Sequence, residues 1–274
     1  MDISKFRRIV EYSKKNHDDI DNEIKRFCAD TNVRSDSDMR DIWLIVRNVL
    51  LYRGFIMFQM PFSDDEIGAL CYRDSGLGYV AMNTSIPRVN SNFALAHEMY
   101  HVFFQAKDFQ SRIEFVDEHY YDNEDEFTAN VFAGALLMPE NSFRGMFAKF
   151  DKESNDIFET ICKLMNYYRS PYMAVLIRCC ELELIEMKDM TSDLLLTDKE
   201  SVSDKFIELW LDFSILEPSL RDDTAHLETL VQQIGEKYVK ENYINQRSLD
   251  LAFTNIKTLC RQIKGEKNIG SSIS

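Results

Sequence analysis

The sequence predicts an α+β fold, mainly helical, with a small three-stranded sheet next to a histidine-bearing helix. Only nine Gly and five Pro interrupt 274 residues, so long helices are permitted. Apolar residues recur at three- and four-residue spacing over most of the chain. The alternating pattern of strands, by contrast, falls between residues 55 and 83. A hydrophobic content of 45% suffices for the core of one large domain or two modest ones.

Phe6, Ile9 and Val10, then Ile20, Ile24 and Phe27, mark two amphipathic helices broken near Asn16-His17-Asp18-Asp19. Ser35-Asp36-Ser37-Asp38 is an N-cap region for a helix over 39–52, which Gly54 stops. Strands follow at 55–60 and 69–73, and Asp74-Ser75-Gly76 turns the chain into a third at 78–83. That third strand either offers an edge to an extended substrate chain or only closes the sheet. Asn90-Ser91-Asn92 can cap a helix over 93–106, and an acidic, irregular stretch occupies 107–122. A helix over 123–137 is closed by Met138-Pro139, and helical patterns continue at 142–150, 157–168 and 171–184. Beyond 187 the composition turns polar before helices at 205–213, 227–239 and 249–263, the last with Leu249, Ala252, Phe253, Ile256, Leu259, Cys260 and Ile263 on one face. The expected organisation is an N-terminal helical segment (1–36), a central domain (37–187) and a C-terminal helical region (188–274) whose residues name no chemistry.

A formal charge of −14, with acidic residues scattered along the chain, argues against a nucleic-acid surface. Lys5, Arg7, Arg8, Lys14 and Lys15 read as a solvated helix face. Six cysteines lack paired spacing, which favours reduced, buried thiols over a disulfide framework or a structural zinc cluster. The start lacks a signal-peptide pattern and no apolar run reaches membrane-spanning length, so a cytoplasmic location with no membrane partner is expected.

The chemistry concentrates in His97-Glu98-Met99-Tyr100-His101. Residues four apart share a helix face, so His97 and His101 can present two nitrogens to one ion while Glu98 sits one step around. With five histidines in 274 residues, a chance match to this pattern is roughly a 1% event, which sets a catalytic zinc site above packed or surface histidines. Phe93, Leu95, Ala96, Val102, Phe103 and Phe104 bury such a helix, and buried His and Glu need partners. Zn2+ supplies them. Hydrolytic zinc usually takes three protein ligands and leaves a fourth position open. A third histidine six residues on is excluded, because Lys107 stands there. Glu126 opens an otherwise apolar helix, where a buried carboxylate requires a cation. Asn130, one turn later, can orient a ligand histidine. Glu126 is therefore preferred as third ligand over Asp117, Glu118 and His119, while Glu124 and Asp125 suit a helix-start charge.

The strand ending at Asn83, the run Asn92-Phe93-Ala94-Leu95-Ala96-His97-Glu98-Met99-Tyr100-His101 and the run from Glu126 through Asn130 to Met138-Pro139 together resemble the ImmA/IrrE metallo-endopeptidases. A weaker echo runs from Arg178 to Leu184, so the likeness spans about 39–184. The resemblance implies a zincin-like fold, His97, His101 and Glu126 as zinc ligands and Glu98 as catalytic base. It further implies a helix-turn-helix transcriptional repressor as substrate, cleaved to switch on stress-response or element-transfer genes. Tyr100 departs from the small glycine common in the family, and could crowd the metal helix or narrow the cleft. His119, Tyr120 and Tyr121 are candidate donors to the oxyanion of peptide hydrolysis. The competing reading is a non-hydrolytic regulator that binds a transcription factor or toxin-like partner. An intact Glu98 speaks against it, since a binding module needs no general base.

Overall fold

The computed structural model describes residues 2–34, 39, 41–74, 77–105, 112–115 and 124–266. The predicted cap at Ser35-Asp36-Ser37-Asp38 lies outside them. Two helices open the chain, α1 (Ile3–Lys15) and α2 (His17–Thr31). Asp2 caps the first by accepting from the backbone N–H groups of Ser4 and Lys5, and left-handed Asn32 ends the second. Their apolar faces, with Phe6, Val10, Ile20, Ile24 and Phe27, enter the main core. After α3 (Ile42–Tyr52) come β1 (Phe55–Met60), β2 (Ile67–Asp74) and β3 (Leu77–Asn83), and then α4 (Arg88–Phe104).

The mainly helical α+β class holds, and the small sheet gains a strand. Residues 112–115, within the stretch expected to be irregular, form β4 (Arg112–Phe115), giving the order β1-β3-β2-β4. β1 runs parallel to β3, whereas β2 is antiparallel to both β3 and β4. β3 therefore has partners on both sides, and the edge that the sequence suggested at 78–83 does not exist. The three strong patterns hid this because pairing order depends on the crossover from β1, which alternation within a strand does not record. Gly78 permits the close β1–β3 approach: a Cβ there would stand 2.5 Å from the Phe55 ring.

Side chains alternate across the sheet, apart from a register shift in β2 between Ile67 and Ala69. Phe55, Ala69, Cys71, Val80 and Met82 face the main core, while Met60, Leu70, Tyr79 and Ala81 face a second cluster. That second face is covered by the C-terminal helices α11 (Thr224–Lys240) and α12 (Gln246–Ile263), through Leu227, Ile256, Cys260 and Ile263. Asp223 also seals the outer edge of β1: its carboxylate accepts from Gln59 N–H at 3.0 Å and its own N–H donates to Gln59 O at 2.7 Å.

Beyond β4 the chain forms α5 (Glu124–Leu137), α6 (Glu140–Lys152), α7 (Ile157–Tyr168), α8 (Tyr172–Glu181), the short α9 (Ser192–Leu195) and α10 (Lys199–Glu208). The pattern at 205–213 is split: α10 ends at Glu208 and a 3-10 turn follows at Phe213–Leu216, with Trp210 in the left-handed region between them. Pro87, Pro139 and Pro171 are the N-caps of α4, α6 and α8, where extended backbone and a missing donor cost nothing. α5 has apolar residues all round because α4, α1, α2 and α8 surround it.

Candidate metal centre

The entry into α4 is set by Asn83 at the end of β3. Its side-chain oxygen accepts from Phe62 and Ser85 N–H, and its amide nitrogen donates to Asp64 O and Ile67 O. Ser91 Oγ then donates to Asn83 O, and Asn92 links Trp43 to Arg169 O. The predicted cap Asn90-Ser91-Asn92 thus lies inside α4, which starts at Arg88 after the Pro87 cap. The Ser91 and Asn92 side chains serve tertiary bonds that sequence reading mistook for capping, since both uses favour the same residue types.

The registers of α4 and α5 bring together the side chains of His97, His101 and Glu126, whose ligand atoms all lie within 4.8 Å of one another. Glu126 Oε2 is 3.0 Å from His97 Nε2 and 3.6 Å from His101 Nε2, and the two Nε2 atoms are 3.0 Å apart. Both histidines are buried. On their far sides, His97 Nδ1 meets Asn130 Oδ1 at 2.9 Å and His101 Nδ1 meets Gln105 Oε1 at 2.7 Å. With amide oxygens as acceptors each ring donates from Nδ1, and the tautomer that does so without a second proton turns its Nε2 lone pair inward beside the carboxylate. Three electron-pair donors so placed suit a cation.

A tetrahedral ion bound at zinc–nitrogen distances would set its ligand atoms about 3.3 Å apart, close to the spacings here. The residues fit such an ion, and a set of three leaves one position open. Burial acts to raise the Glu126 pKa, but where the rings also carry a proton on Nε2 the hydrogen bonds from His101 and His97 and their charge outweigh it, holding the carboxyl well below the usual range.

Glu98 is buried beside the two histidines on α4. It is 1% exposed, and its Oε2 accepts from Cys71 Sγ on β2 at 2.6 Å. Tyr100 is also buried, its ring among Phe104, Phe132 and the edge of His101, so the bulk at this position fills core between α4 and α5. Arg178 on α8 closes the C-terminal end of α5 by donating from Nε to Met138 O at 3.1 Å.

His119, Tyr120 and Tyr121, the candidate oxyanion donors, and the rival ligands Asp117 and Glu118 lie outside the described residues. Gln105 and Cys71 escaped the sequence reading. The first is detectable as an amide one turn after His101. The second carries no local signal, since its partner lies on another element.

Among the described residues, no helix is long and apolar enough to cross a membrane. No curated protein matches the chain. Residues 53–179, however, match the family model of Peptidase_M78, described as the IrrE N-terminal-like domain. That span runs from the start of β1 to α8 and includes both helices of the metal centre. A match to a peptidase-family domain over the span that bears a His-His-Glu group at the contact of two buried helices joins sequence likeness to geometry: residues 53–179 are similar to the IrrE N-terminal-like domain of Peptidase_M78, the family that the motifs resemble.

Proposed function

We propose that the protein is a zinc-dependent endopeptidase of the cytoplasm whose substrate is a helix-turn-helix transcriptional repressor, cleaved to derepress stress or mobile-element genes. The observation that carries the reading is the convergence of His97 Nε2, His101 Nε2 and Glu126 Oε2, with Glu98 on the same helix as the two histidines. His97, His101 and Glu126 would hold a zinc ion there, which would supply Lewis acidity toward a scissile carbonyl and a water molecule. Glu98 accepts the proton of the attacking water and returns it to the leaving amine. Asn130 and Gln105 keep the two rings turned inward through their Nδ1–H groups. The apolar residues around the polar cluster limit competing solvent.

The repressor assignment is supported by the match to the IrrE N-terminal-like domain and by net charge, since a chain at −14 attracts basic DNA-binding proteins. Incubating the zinc-loaded chain with a repressor encoded beside its gene tests both levels. Wild type should yield defined fragments, and Glu98→Gln should keep the zinc while losing about 100-fold or more in rate. Zinc binding without cleavage by wild type would favour a binding regulator. Full zinc retention in His97→Ala would remove the site assignment altogether.

A further inference from the structure

We propose that Cys71 is a positioning residue for Glu98: its thiol engages carboxylate oxygen Oε2, orienting the group so that Oε1 takes the proton from water. The proposal rests on the peptidase reading of the same site. Cys71 lies on β2, between β3 and β4, paired with Val80 on one side and Arg112 on the other. Alternation turns its side chain to the sheet face on which α4 packs, opposite Leu70. Both partners are within 2% of complete burial, and Sγ stands 2.6 Å from Oε2. A carboxylate at that depth needs donors, and a strand paired on both sides is a rigid place from which to supply one.

The chemistry of the donor matters as much as its place. An Arg or Lys here would hold the carboxylate firmly but make it a poor base. A thiol is a small, uncharged donor, so it orients the group without placing a counter-charge beside it. The other five cysteines, Cys28, Cys162, Cys179, Cys180 and Cys260, are buried, and burial raises the pKa of each thiol. Among the described residues, Cys71 is the one whose sulfur is placed on the candidate base.

Infrared spectra of the full zinc-loaded chain in the S–H stretching region test the contact without turnover. The band lost in Cys71→Ala should lie at lower wavenumber than those of the other thiols and should move up in Glu98→Ala. Turnover is followed with a quenched-fluorescent peptide selected from a random library by wild type. Cys71→Ala should lower kcat about tenfold, with KM, zinc content and thermal midpoint near wild type, and Cys71→Ser should restore most of the rate. A Cys71 band that ignores Glu98→Ala overturns the proposal, as does an unchanged kcat in Cys71→Ala. If Cys71→Ala does not fold, the band shift in Glu98→Ala and the rate of Cys71→Ser decide. Wild type that binds zinc but cleaves no peptide brings down the peptidase reading and the catalytic role of Cys71 with it. Active wild type with an unshifted band removes Cys71 alone.

Discussion

Two side-chain amides determine what His97 and His101 can offer an ion. By accepting from Nδ1–H, Asn130 and Gln105 fix the tautomer and the ring plane, so both Nε2 atoms arrive as lone pairs at the same point. Asn130→Ala and Gln105→Ala are each expected to weaken zinc binding about 10–100-fold, as read by competition with a chromogenic chelator. An affinity equal to wild type in both variants would show that the helices alone orient the rings. Tyr100 acts at this scale too. Its ring spans Phe104 and Phe132 and meets His101 edge-on, so the residue that departs from the family pattern contributes packing to the side of a ligand.

At the scale of elements, helix ends explain most boundaries. Asp156 caps α7 by accepting from Glu159 N–H at 2.8 Å, and Glu159 reaches back to accept from Asn155 N–H at 3.2 Å. Glu159 also pairs with Lys163 one turn along, at 2.7 Å. The Lys163 bond first, and then those from Asn155, hold the Glu159 carboxyl at about 2, below its ordinary value of 4.5. A depressed carboxylate pKa stabilises the folded chain above the unfolded value, and that stabilisation is lost as pH falls through the folded one. Glu159→Gln should therefore lower the thermal midpoint at neutral pH, and the gap from wild type should close between about pH 4.5 and 2. A gap constant over that range would mean the charge contributes nothing.

At the scale of the whole molecule, the sheet divides two cores. One face supports α4 and the metal centre, and the other is covered by α11 and α12. Gly235 lets those two helices meet closely, since a Cβ there would run into Leu249 Cδ1. Leu249→Asp, which buries an unpaired charge at that contact, should cost about 3 kcal/mol or more in urea unfolding. Zinc content per folded molecule should stay at the wild-type level, because the sheet stands between the hairpin and α4. Loss of zinc from molecules that remain folded would show the two faces to be coupled.

The sequence by itself determined the helix that carries His97, Glu98 and His101 and the one that carries Glu126 and Asn130, because each set is written within a few residues at a helical spacing. It also determined the class of fold and the places of most helices, through local periodicity and capping residues. Ser91 and Asn92 misled it, since a polar residue that bonds across the fold has the same letter as one that caps a helix. Only the tertiary structure decided the sheet order, the strand at 112–115, the covering of the sheet by the C-terminal helices and the contact between Cys71 and Glu98. Those features depend on which distant elements meet. Burial and pairing settle that for the chain as a whole, and no short window of residues records it.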